Sequence, residues 1–292
     1  MERGDSVRNY WKLIRTKHYV KTILVWTALF CSGELLRPGK LLSAVIGFFA
    51  FCFMCSVIYV INDIMDVEKD RQHPTKRTRP IASGAVSVRN AWVLAAVMFA
   101  LSMACNAAVF NVSGLVILLL YLGINLGYCF GLKNFPIWDL LILSLGALLR
   151  AFYGSAVTGC ALSPWMYLTI LCVTLFLTIS KRRNELNKIA DGATREVLKY
   201  YTIPFIDKVM PICGTLTITF FALWCRDEAT LALRLGEYMA ASVPLLIFLF
   251  IKALMLMETP SDKDPIDVYL HDMAVMILFS AFVALMIVLP IL

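Results

Sequence analysis

The stretch LLSAVIGFFAFCFMCSVIYVI, Leu41 to Ile61, runs directly into NDIMDVEKDRQHPTKRTRP, Asn62 to Pro80. A long uncharged run ends in three aspartates, Asp63, Asp66 and Asp70, with lysines and arginines close behind. A spanning α-helix takes roughly 20 apolar residues. A surface helix of a soluble domain would show a polar face over that length. The run therefore reads as a membrane span, with carboxylates and cations gathered where it ends.

The rest of the chain agrees. Of 292 residues, 60% are hydrophobic and 16% charged, and the mean hydropathy is +0.76. Soluble domains are about 45–50% apolar and about 25% charged. The chain is thus an integral membrane protein. The nine cysteines fall almost entirely inside apolar runs. Cys52 and Cys55 form a C-x-x-C within a span, with no second pair and no neighbouring histidine, which reads as small-residue packing. The histidines lack zinc-site spacing. The basic N-terminus precedes a run long enough to span and shows no small-x-small cleavage pattern, so Met1 to Leu292 is expected to be the mature chain.

Apolar runs predict an all-α polytopic fold of about nine spans. They cover 20–36, 41–61, 91–110, 114–130, 137–157, 164–179, 205–224, 238–257 and 270–292. The N-terminal arm carries Arg3, Arg8, Lys12, Arg15 and Lys17. With alternating spans, the loops at about 62–90 and 180–204 fall on the same side, and they hold most of the remaining basic residues. The Lys/Arg bias puts the N-terminus and these loops in the cytoplasm and the C-terminus outside, as in a plasma (inner) membrane protein. The net charge of +7 is then mostly a cytoplasmic-face charge. It suits topology and anionic lipid, and no nucleic-acid partner is expected. No boundary is evident, so residues 1–292 are expected to form one membrane domain; no oligomeric state follows from the sequence.

On a helical extension of the second span, Asp63, Asp66 and Asp70 sit at i, i+3 and i+7, on one face. Like charges on one face repel unless a cation lies between them. Carboxylate oxygens suit Mg²⁺, which is normally held by one or two carboxylates plus substrate phosphates. Asn62 adds an uncharged amide. Arg77 and Arg79 suit bidentate phosphate contacts and Lys76 a point charge. A solvated charged cap is the plainer alternative.

NDIMDVEKD fits N-D-x-x-D-x-x-x-D, and here the chain resembles the UbiA superfamily of intramembrane prenyltransferases. The run from Asp70 to Gly84 resembles D-R-x-H-P-x-K-R-x-R-P-I-A-x-G of its decaprenyl-phosphate phosphoribosyltransferase branch. RTKHYVKTILV, Arg15 to Val25, is similar to that branch's R-P-K-Q-W-x-K-N start of the first helix, with Thr16 for proline and His18-Tyr19 for Gln-Trp. It keeps Lys17 and Lys21, four apart and so expected on one helix face. SKRRNEL, Ser180 to Leu186, resembles K-R-x-x-E-L. Most prenyl-transferring relatives carry a second acidic motif there, whereas this chain offers only Glu185 beside Lys181, Arg182 and Arg183.

The resemblance implies a cytoplasm-facing central cavity and a Mg²⁺-dependent transfer of phosphoribosyl from 5-phosphoribosyl 1-diphosphate to a polyprenyl phosphate. It implies metal ligands at Asp63, Asp66 and Asp70, with Asn62 and Glu185 beside the reacting group. Lys17, Lys21, Lys76, Arg77, Arg79, Lys181 and Arg182 form the expected phosphate-neutralising set. Tyr128 is a weaker candidate, set beside Asn125 and Lys133; the plainer reading is an interfacial aromatic. Arg150, charged within a span, is expected to face the protein interior. Asp139 is expected to pair with a cation. Tyr200 and Tyr201 read as interfacial belt residues, and Asp264, Asp267 and Asp272 as helix caps. Two rivals remain: a UbiA-type prenyltransferase acting on an aromatic acceptor, and a transporter of a phosphorylated lipid or anion.

Overall fold

The computed structural model describes residues 2–73, 75–187, 196–232, 239–258 and 265–288. Every described element is a helix. In chain order they are α1 (Glu2–Ile14), a 3-10 segment (Thr16–Trp26), α2 (Thr27–Cys31), α3 (Pro38–Met65), α4 (Val67–Gln72), α5 (Val88–Ala108) and α6 (Val112–Cys129). There follow α7 (Trp138–Thr158), α8 (Pro164–Asn187), α9 (Ile203–Cys225), α10 (Glu228–Ala232), α11 (Val243–Glu258), α12 (Pro265–His271) and α13 (Met273–Val288). Short 3-10 turns, including Lys76–Thr78 and Glu196–Tyr200, link them.

The helix limits follow from local chemistry. Pro38 opens α3, where its missing N–H costs no hydrogen bond. Ser87, Asn111 and Thr202 cap α5, α6 and α9, each side chain accepting from an N–H three residues on. Asp272 does the same for α13 through the Val275 N–H at 3.0 Å, as expected of a cap.

Among the described residues, seven helices are long and apolar enough to cross a membrane, and α13 is a shorter apolar helix. The chain is therefore a multi-pass membrane protein. The expected count of about nine differs at both ends. The first expected span divides into the 3-10 segment and the short α2. A 3-10 helix rises about 2 Å per residue, so Thr16–Cys31 covers about 30 Å with too few α-helical residues to count as a long helix. The last expected span runs on past the described residues.

The chain divides into two compact units. The first holds residues 1–30, 34–133 and 149–161. Its centre is α3, against which α1, the 3-10 segment, α5 and α6 pack. Phe51, Met54, Val57, Ile58 and Ile61 of α3 lie buried with Tyr121 of α6 and Tyr153 of α7. Gly154 of α7 is required by a close approach: a Cβ there would run into the carbonyl of Val25. The second unit holds residues 31–33, 134–148 and 162–292. In it α8 packs on α9, and α11 packs on α13. A cavity of about 220 Å³ in this unit is lined by Arg183, Asp207, Met210, Pro211, Leu254, Met257 and Glu258. No residue nominated from the sequence as a substrate or metal ligand lines it.

Candidate active site

In the first unit, α3 stops at Met65 because Asp66 leaves helical geometry, at φ −92 and ψ 6. The helical extension expected through Asp70 is thus broken at Asp66, and α4 restarts at Val67. Beyond α4 the chain turns back over Arg79 to Val86. The Ser83 N–H donates to Arg79 O at 2.9 Å and the Val86 N–H to Pro80 O at 2.9 Å. Gly84 sits in this turn at φ +79, a backbone that side-chain-bearing residues rarely adopt. The turn returns Arg79 to the aspartates.

Arg79 Nη1 donates to Asp63 Oδ1 at 3.0 Å and to Asp70 Oδ2 at 2.7 Å. Arg15 Nη2 donates to the same Asp63 oxygen at 2.6 Å, and its guanidinium lies 5.1 Å from the Tyr59 ring centre. Asp63 and Asp70 are both buried. Asp66 turns elsewhere: Lys133 Nζ donates to its two oxygens at 2.9 and 3.1 Å. The Cys129 thiol donates to Asn62 Oδ1 at 3.5 Å. Three carboxylates thus meet three cations, and buried charge is tolerated when paired in this way.

In the second unit, the basic motif of α8 is internally paired. Arg182 is one of the largest fully buried side chains. Its Nε faces Asp139 Oδ2 at 3.3 Å, and its Nη1 donates to Glu185. Arg183 donates from Nε to Asp207 Oδ1 at 2.6 Å and from Nη1 to the Met257 carbonyl.

The sequence profile of the UbiA prenyltransferase family matches residues 22–287. The chain belongs to the UbiA prenyltransferase family. Among curated relatives, the decaprenyl-phosphate phosphoribosyltransferase of Corynebacterium glutamicum is 32% identical, over 93% of this chain and 83% of its own length. That of Mycobacterium tuberculosis is 31% identical over 96% of this chain and 94% of its own. A solved UbiA homologue from Archaeoglobus fulgidus, bound to GPP and Mg²⁺, superposes with a TM-score of 0.72 at 18% identity, covering 97% of this chain and 100% of that one.

Within this UbiA fold, the nominated residues fall into distinct settings. Asp63, Asp70 and Arg79 come together, while Asp66 pairs with Lys133 instead. Lys76 and Arg77 lie exposed on the loop after α4. Lys17 and Lys21 are exposed as well, but the expectation of one shared face does not hold. In a 3-10 segment residues three apart eclipse, so residues four apart point about 120° away from each other. Tyr128, Lys181 and Glu185 are half-buried. Arg182, expected to bind phosphate, is committed to Asp139 and Glu185 inside the unit. Asp139 has the expected cationic partner. Tyr201 is not a belt residue: it is buried and donates to Asp139 Oδ1 at 2.7 Å. Arg150 faces inward as expected, with Nη2 donating to Tyr121 Oη at 2.8 Å and to Cys55 Sγ at 3.3 Å. Pro74, Asp264 and part of the 180–204 loop lie outside the described residues.

Two residues were missed as ligands of the acid cluster, Arg15 and Lys133. The arginine opening RTKHYVK and the lysine of GLKN were the available signals, yet each lies far along the chain from its aspartate. As to a metal, the described residues hold no group of three acidic, histidine or cysteine side chains around one point. The donor chemistry nevertheless fits a hard divalent ion. One Arg79 nitrogen already places positive charge between Asp63 and Asp70, and Mg²⁺ needs only one or two carboxylates when phosphates supply the rest.

Proposed function

We propose that the protein transfers the 5-phosphoribosyl group of 5-phosphoribosyl 1-diphosphate to a polyprenyl phosphate, with release of diphosphate and dependence on Mg²⁺. The observation that carries this reading is the contrast between the two motifs. Asp63 and Asp70 offer paired carboxylates, whereas the second motif is a basic segment whose one carboxylate, Glu185, is held by Arg182. Decaprenyl-phosphate phosphoribosyltransferases matching nearly the whole chain support it.

In this reading Asp63 and Asp70 would hold a divalent metal, with Asn62 and Asp66 alongside. When bound, such an ion would supply Lewis-acid stabilisation of negative charge on the leaving group. Arg79 and Arg15 exchange their carboxylate partners for phosphate oxygens, a contact for which guanidinium is well shaped. Exposed Lys17, Lys21, Lys76 and Arg77 neutralise the remaining anions, with Tyr128 as a further contact in the same unit. In the second unit, Lys181 is suited to an anion and the Glu185 carboxylate to accepting hydrogen bonds from sugar hydroxyls. The C1–O bond breaks with its electron pair going to diphosphate, and an acceptor phosphate oxygen closes on C1. That oxygen is already anionic, so no strong general base is needed. The Lys/Arg bias supports a cytoplasmic-side site in this reading.

Purified protein given labelled phosphoribosyl diphosphate and a polyprenyl phosphate tests the proposal, in competition with geranyl diphosphate and an aromatic acceptor. A phosphoribosylated lipid that forms only with Mg²⁺ is expected. A prenylated aromatic product rejects the proposal in favour of the family's other chemistry, and counterflow across vesicles without conversion favours transport. Asp63→Asn is expected to lower turnover by about 100-fold or more, as when a preorganised electrostatic group is removed.

A further inference from the structure

The partners of Arg182 form one continuous chain of contacts within the second unit. Ile137, just before α7, has φ 70, a left-handed backbone that is a genuine outlier for a β-branched residue. Its N–H donates to Tyr201 Oη at 2.7 Å, and that phenol donates to Asp139 Oδ1 at 2.7 Å. Asp139 Oδ2 faces Arg182 Nε at 3.3 Å, and Arg182 Nη1 donates to Glu185 Oε2. Asp139 is 0% exposed and Arg182 1%, while Glu185 at the end of the chain is 24% exposed. Arg182 Nε and Asp139 Oδ2 are buried without an aligned hydrogen bond between them. Their placement therefore leans on charge and on the Tyr201 hydroxyl. Burial, and then the acceptor Asp139, push the Tyr201 phenol well above its ordinary pKa, so it remains a proton donor at neutral pH.

The exposed end of this chain is the one carboxylate of the second motif. A pentosyl donor carries vicinal hydroxyls where a prenyl donor carries only hydrocarbon. A carboxylate fixed in place accepts those hydroxyl protons, while hydrocarbon would strip its water and give nothing back. We propose that Asp139 and Tyr201 are positioning residues which, through Arg182, fix Glu185 to select a hydroxylated sugar donor. The inference rests on the reaction proposed above.

The test is a double-mutant cycle on the full chain in lipid nanodiscs: wild type, Tyr201→Phe, Glu185→Gln and the pair. Donor KM, kcat, acceptor KM and Tm are all measured. Wild type is assayed first with both phosphoribosyl and geranyl diphosphate, which judges the reaction itself. Tyr201→Phe is expected to raise the KM for phosphoribosyl diphosphate about 3- to 10-fold, as for one buried hydrogen bond lost. It is expected to leave acceptor KM unchanged and to add no further penalty in the Glu185→Gln background, because both changes act on one contact. Asp139→Asn moves donor KM in the same direction. With phosphoribosyl transfer intact, additive penalties, or a fall in Tm with donor KM unchanged, overturn the positioning role. If geranyl diphosphate is the donor turned over, the proposed reaction fails and sugar selection fails with it.

Discussion

Lys133 Nζ spans the carboxylate of Asp66, 2.9 Å from one oxygen and 3.1 Å from the other. The two residues lie 67 positions apart in the chain. The lysine ties the segment after α6 to the break between α3 and α4. It also takes the place at Asp66 that any other cation must contest. Lys133→Met is therefore expected to lower the Mg²⁺ concentration that gives half-maximal rate, while Asp66→Asn is expected to raise it. A Mg²⁺ titration of initial rates checks both directions, and equal curves for wild type and Lys133→Met reject the competition. The pair is partly exposed, so its loss is expected to cost stability no more than about 1 kcal/mol.

Arg77 is exposed on the loop after α4, two residues before Arg79, whose guanidinium is tied to Asp63 and Asp70. An exposed arginine contributes little to folding, so Arg77→Ala is expected to leave Tm within about 1 °C. If it steadies donor phosphates, its removal raises donor KM by about 10-fold, the value of one charged hydrogen bond. A change confined to protein yield would show a structural role instead.

Gly154 has no room for a side chain, since a Cβ meets the Val25 carbonyl, which is backbone. Gly154→Ala must push the 3-10 segment away from α7. The expected cost is about 1–3 kcal/mol, typical of overpacking. Gly39→Ala is the control, because a Cβ at Gly39 meets nothing within 4 Å. Thermal unfolding in detergent should separate the two variants; matching curves would mean that the close approach is relieved without cost.

Arg150 lies beside a packed pair of aromatic rings, 5.3 Å from the centre of Phe51 and 5.1 Å from that of Tyr121. It also donates to the Tyr121 hydroxyl and the Cys55 thiol. A planar guanidinium can meet both rings while its fork reaches the hydroxyl and the thiol, and a lysine ammonium cannot do all of these at once. Arg150→Lys is expected to lose about 2 kcal/mol, the upper range for a desolvated cation–π contact. Activity per folded molecule should be retained, as measured by turnover normalised to the monodisperse fraction. A loss of turnover at unchanged Tm would move Arg150 from scaffold to site.

The sequence made the apolar helices visible, because an uncharged run such as Leu41–Ile61 has few other destinations. It also gathered Asp63, Asp66, Asp70 and Arg79 into one short segment, of which Asp63, Asp70 and Arg79 meet while Asp66 goes to Lys133. It did not show which cation meets which carboxylate. Arg15 reaches Asp63 across 48 positions, and pairing over that range depends on packing around α3 rather than on spacing. The shared face expected of Lys17 and Lys21 requires an α-helical period, whereas their segment winds as a 3-10 helix. Arg182 shows a related effect of packing. A basic residue in a polar loop motif looks like a phosphate ligand until a second helix brings Asp139 against it. Tyr201 beside Tyr200 looked like a membrane-surface aromatic, and only its hydroxyl's two partners distinguish it.

Arg15, Arg79 and Lys133 make the acid cluster behave like an exchanger shipped with its own counter-ions. With local charge already cancelled, a bare divalent ion gains little by entering, since each carboxylate it wins strands an ammonium or guanidinium. A metal that arrives already chelated by pyrophosphate brings anions to receive the displaced side chains. On the proposed reaction, loading in that order would keep the resting protein electrically quiet and tie activation to the arrival of the donor.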